Sequence, residues 1–146
     1  MTKLTLAAAS IIVDMALAEG RARGFQPLTV AALDAGGHLV ALKREDGSSL
    51  LRPRIAAAKA WGVLGMGFGG RELERRAQRV PTFFSALSAL ADGGMVPVPG
   101  GVLIRDVAGE IIGSVGISGD TSGNDELCAI AGIKAAGLVP DTGDPG

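Results

Sequence analysis

The chain opens on an apolar pattern of helical period. Ala8, Ile11, Ile12, Met15, Ala18 and Ala22 recur at steps of three and four, behind Thr2 or Thr5 as cap and ahead of Gly24 as stop. That spacing predicts a first helix with one buried face. Two short β-type runs follow, Leu28 to Leu33 and His38 to Leu42, on either side of Asp34-Ala35-Gly36-Gly37; the glycine pair supplies the positive φ of a tight reversal, and a hairpin is predicted. Past a polar stretch, Pro53 suits the first turn of an Ala-rich helix that reaches Met66 and carries Arg52, Arg54 and Lys59. Gly65 to Gly70 breaks that helix, and a charged one resumes from Arg71 to Arg79, before Pro81. Val80 to Leu90 reads as a short helix capped by Thr82 and closed by Gly93-Gly94. Val102 to Asp106 and Glu110 to Ser118 form a second predicted hairpin through Val107-Ala108-Gly109. A last helix runs from about Asn124 to Ala136, and the polar, Pro-containing chain after about residue 138 is expected to fray.

The order helix, hairpin, several helices, hairpin, helix predicts an α+β layered domain, an antiparallel sheet with helices packed on it. A parallel dinucleotide-binding sheet needs a crossover helix between strands, and that alternation is absent. No linker, repeat or low-complexity tract divides residues 1–146, so one domain is expected.

Composition narrows the function classes. At 47% hydrophobic with a net charge of −1, the chain is an ordinary folded domain rather than a disordered one. One Cys and one His exclude a four-ligand zinc site and an internal disulfide within one chain. Asp14 and Glu19 interrupt the first apolar stretch, so no membrane segment or cleaved leader is read, and a cytoplasmic location is expected. With 23 Gly, 3% aromatic residues and no Tyr, backbone rather than aromatic side chains must shape a site. Charge is unevenly spread. Nine of the fourteen basic residues lie between Lys43 and Arg79 against four acids, while eight acids from Asp92 onward face only Arg105 and Lys134. Such a split fits solvated faces or a self-complementary oligomer, and with a pI of 5.8 it speaks against nucleic acid.

The motifs each carry two readings. Gly65-x-Gly67-x-x-Gly70 matches a dinucleotide fingerprint, but a helix precedes it where a strand is required, so it reads as a helix break. Gly113-Ser114-Val115-Gly116-Ile117-Ser118-Gly119 follows β-type sequence and precedes a helix, which suits a backbone ligand site, yet Asp120, Asp125 and Glu126 crowd the turn against phosphate. Asp125 and Glu126 are either site acids or members of a capping box, Ser122-x-x-Asp125. His38, after a hairpin turn, is either a surface pairing residue or a single axial haem ligand. Cys128 reads as a buried small hydrophobe, and Trp61, Phe83 and Phe84 as core. Lys59 stands among Ala56, Ala57, Ala58 and Ala60; it either snorkels to water or answers an anion. Arg44 with Asp46 is either an anion clamp or a weak surface pair.

Taken in order, Asp34-Ala35-Gly36-Gly37-His38-Leu39-Val40-Ala41, Arg44-x-Asp46-Gly47, Ala58-Lys59-Ala60, Gly93-Gly94 with Pro97, the Gly113–Gly119 run, Asp125-Glu126 and Ala131-Gly132 resemble the GlcG/HbpS-like family, which includes the C-terminal domain of PduO. The resemblance covers nearly the whole chain. It implies a profilin-like layered fold, homo-oligomers as large as hexamers or octamers, and haem or other tetrapyrrole binding in several members. Haem ligation described in the family uses a His near the first helix, whereas the only His here is His38. Gly93 to Gly101, rich in Gly and Pro, reads as a stiff pocket rim.

Two functions are therefore expected to compete. The first is a homo-oligomeric binder of a compact anion or tetrapyrrole, with Arg44, Asp46 and Lys59 at the ligand's carboxylates and Gly93, Gly94, Pro97, Ser118 and Gly119 shaping the cavity. The alternative is a lyase, isomerase or hydrolase acting on a small carboxylate, with Asp125 or Glu126 as general base and Lys59 as electrostatic stabiliser. An assembly protein without a ligand is a third reading, resting on the charge split.

Overall fold

The structure, a computed structural model, describes residues 2–144. Among them, five helices pack on the two faces of one antiparallel sheet. The elements are α1 (Leu6–Arg23), β1 (Thr29–Asp34), β2 (Leu39–Arg44), α2 (Arg52–Met66), α3 (Gly70–Arg79), α4 (Pro81–Leu90), β3 (Gly101–Arg105), β4 (Ile111–Ser118), α5 (Ser122–Ala135) and β5 (Val139–Asp141). The sheet runs β2-β1-β4-β3-β5, with Thr29 opposite Ser118 and Asp34 opposite Gly113 where the two hairpins meet. The expected α+β layered class is what forms.

One core lies between the sheet and the α1–α5 pair, where Ile12, Val13, Val30, Val102, Val115, Ile117 and Ile133 exclude water. A second, smaller core on the opposite face joins Val63 of α2 to Leu73, Phe84, Met95 and Leu103. α2 lies flush on β4. A Cβ at Gly116 would stand 1.9 Å from the Ala56 carbonyl oxygen, so only glycine admits the helix at this distance. Ser114 on the same strand donates to the Ala60 carbonyl at 2.7 Å.

Several local expectations are corrected. Thr82 caps nothing; Val80 holds the cap position of α4 without a side-chain bond. The cap of α5 is Thr121, which enters extended and accepts from Asn124 N, so the helix begins at Ser122 and the anticipated Ser122-x-x-Asp125 box is out of register. The segment after residue 138 is not frayed over its described residues, 139–144. It forms β5 on the otherwise open edge of β3, held by an Arg105–Asp141 ion pair at 2.9 Å and by Arg71 N donating to the Thr142 carbonyl at 3.0 Å. Phe84 is buried, but Phe83 and Trp61 reach solvent rather than the core. The Gly65–Gly70 run is a helix break, with Gly67 closing α2 in the left-handed region. No helix among the described residues is long and apolar enough to cross a membrane.

Candidate functional site

The inward face of α2 carries Ala56, Lys59, Ala60 and Val63 at helical spacing, and the small residues let the lysine run down onto the end of β4. Lys59, 4% exposed, donates from Nζ to the Ile117 carbonyl at 2.8 Å and to Asp125 Oδ2 at 3.3 Å. Asp125, also buried, accepts from Asp120 N at 2.9 Å with its other oxygen. Burial pulls the lysine below its ordinary value, while the Asp125 charge opposes that fall. Burial pushes Asp125 above the usual carboxylate range, against the pull of the Lys59 ammonium. Both groups are therefore satisfied inside the protein, and together they tie α2, β4 and the turn before α5.

The remaining expected site residues are dispersed. Glu126 is buried and held by the fork of Arg71, at 2.8 and 3.0 Å from its Nε. Ser118 accepts from Arg52 at 3.0 Å, and its strand spends its backbone in the sheet rather than on a ligand turn. Gly119 follows it, and Pro97 lies on the loop before β3. Arg44 donates to the Ser48 carbonyl at 2.7 Å. With Asp46 it lines a shallow hollow of about 480 Å³ on the far side of the β1–β2 hairpin, beside Arg21 and Lys43. His38 is exposed, with Nδ1 3.1 Å from Asp34 Oδ1; backbone donation from His38 to that carboxylate is the main reason Asp34 stays below the ordinary carboxylate range. Cys128 is buried, and burial pushes its thiol up to about 11, which leaves it inert. Among the described residues no cluster of His, Cys, Asp or Glu is placed to hold a metal.

Gly93 and Gly94 do line a cavity, but with partners sequence reasoning missed. A hollow of about 690 Å³ lies between the outward face of α2 and the loop after α4. Its long wall is Arg54, Ala57, Ala58 and Trp61, which recur at steps of three, one and three on one side of the helix; Leu33 and Leu39 close it from the sheet. Arg54 has no ion-pair or hydrogen-bond partner among the described residues, in contrast to Arg71, Arg75, Arg76 and Arg105. Asp92 on the opposite rim has φ of 53°, a left-handed conformation that an aspartate tolerates and that turns the loop over the cavity. The signal was legible: a cation and an indole two turns apart on one helix face, with only alanines between them. The site is a largely apolar slot with Arg54 at one end and Asp92 on the opposite rim.

Over residues 4–134 the chain matches the family model described as "Haem degrading protein HbpS-like". Among solved structures it is similar to PduOC, determined as a haem complex, at 24% identity and a TM-score of 0.84, covering 98% of this chain and 100% of that one. It is also similar to HbpS, at 26% identity and a TM-score of 0.80, over 92% of this chain and 90% of the other. ORFY of Klebsiella pneumoniae gives 22% identity and a TM-score of 0.82, over 94% and 93% of the two chains. No curated protein matches the sequence.

Proposed function

We propose, for a chain that belongs to the HbpS-like family of haem degrading proteins, that it binds a flat apolar ligand bearing carboxylates, of the tetrapyrrole class, and that it does so as a homo-oligomer. The observation that carries this reading is the unpartnered Arg54 at one end of an apolar slot walled by Trp61. A guanidinium at the rim of a cavity, not paired with the one lining carboxylate, Asp92 on the opposite rim, suits a ligand's carboxylate, and alanines and an indole suit a ring. The family description and the haem complex of a structural relative favour tetrapyrroles within that class.

The slot fits the macrocycle and its carboxylates better than it fits the iron. Haem, when bound, supplies an iron that takes axial protein ligands. The residues lining the slot include no His, Met, Cys or Tyr, and His38 is not among them. Arg54 would hold the carboxylates, Trp61 and Leu39 would meet the ring, and the Gly93-Gly94 backbone would close over it. The enzyme alternative has no comparable support. Lys59 and Asp125 are paired with each other away from the slot, and Glu126 is committed to Arg71.

Titration with protoporphyrin IX and with haemin tests the reading. Saturable quenching of the single Trp is expected with both, at affinities within about twofold of each other because the iron is not liganded by the slot. Arg54→Ala is expected to weaken both about tenfold, and His38→Ala to leave both unchanged. Absence of saturable quenching by either compound overturns the proposal.

A further inference from the structure

We infer that Trp61 is the stop that limits how far a ligand anchored at Arg54 extends along α2, so that this one side chain sets the length specificity of the slot. The inference rests on the reading of Arg54 as the carboxylate anchor. Seven residues separate the two positions, which at the rise of an α-helix is about 10.5 Å, with Ala57 and Ala58 forming a smooth floor between. Beyond the indole lies a second apolar hollow of about 170 Å³, lined by Gly65, Met66, Leu87, Leu90 and Met95. Trp61 and Ala91 border both hollows, and the indole is the larger of the two side chains between them.

The indole stands as a fence because glycines leave it room. A Cβ at Gly37 would lie 3.3 Å from Nε1, one at Gly94 would lie 3.7 Å from Cε3, and one at Gly65 3.7 Å from Cζ3. The pyrrole edge thus abuts the β1–β2 turn and the benzo edge abuts the loop after α4, spanning the slot from wall to wall. Gly37 has φ of 82°, so that backbone closes on the ring without a side chain intervening. An apolar tail that reaches the indole meets aromatic carbon before it reaches the apolar space behind.

The test is a calorimetric titration of 4-alkylbenzoates of rising chain length into the full chain. In the wild-type protein affinity rises with the first carbons of the tail and then levels off. In Trp61→Ala the rise continues at about fourfold per methylene as the tail enters the second hollow. Trp61→Phe retains a ring and is expected to keep a plateau, which separates loss of the partition from damage to the fold. A plateau at the same length in wild type and Trp61→Ala, or none in either, overturns the inference. If benzoates fail to bind, or bind Arg54→Ala as well as wild type, the anchor reading itself falls, an outcome distinct from failure of the partition.

Discussion

Lys59 has to be neutralised by its surroundings, because a charge with almost no contact with water is stable only beside its counter-charge. Its partner Asp125 is equally enclosed, so the pair holds two helices and a strand end in register at the expense of desolvating both ions. Lys59→Met is expected to destabilise the protein by about 3 kcal/mol, since it strands a buried carboxylate, and the double variant with Asp125→Asn to recover most of that loss. Urea denaturation of the three proteins measures both. The run Ala56 to Ala60 made the burial of this lysine legible in the sequence. Its partner was not, because the contact with Asp125 spans 66 positions and exists only once α2 is seated on β4. Asp125 was read as a site acid or a cap, whereas the structure shows it bonded to Lys59 and to Asp120 N.

α2 works as a helix with two separate faces. Its inward stripe seats the ion pair and packs on Gly116, while its outward stripe is the wall of the slot. Helix limits were readable from period and punctuation, and α1 ends at Gly24 as expected. The two-sidedness was hidden, since alanines on both faces blur the amphipathic pattern and left Trp61 looking like core. The turn entering α5 shows a different local logic. Asp120 accepts from Gln26 N, from Thr121 N and from the Asn124 amide, and these bonds, Gln26 foremost, hold its carboxyl below the ordinary 3.8. A carboxylate depressed in the folded state contributes stability that is whole above 3.8 and drains away as the pH falls through its lower folded value. Asp125 acts with the opposite sign, because its raised value lets the folded protein take up a proton first. Asp120→Asn is therefore expected to be less stable than wild type at about pH 7, with the gap narrowing by about pH 3. Urea midpoints at the two pH values give the comparison.

Across the whole molecule the uneven charge finds its use inside the chain. The basic middle meets the acidic C-terminal part in Lys59–Asp125, Arg71–Glu126 and Arg75–Asp144, so the split reflects long-range pairing within one subunit. The apolar surface is not disposed of in that way. Leu50, Leu51, Phe83 and Leu90 stand in solvent, with Leu50 92% exposed, which is the residue population that a subunit interface covers. Light scattering is expected to give a mass that is a multiple of the 14.7 kDa chain, and a monomer at micromolar concentration would remove the oligomeric part of the proposed function.

The fifth strand has a consequence for the order in which the molecule is made. β3 emerges from the ribosome long before Val139–Asp141 exists to cover its outer edge. Until those residues arrive, a row of unsatisfied amides and carbonyls faces solvent, open to pairing with another chain. Once they are in place, Arg105 and Arg71 hold the covering segment through ion pairs with Asp141 and Asp144.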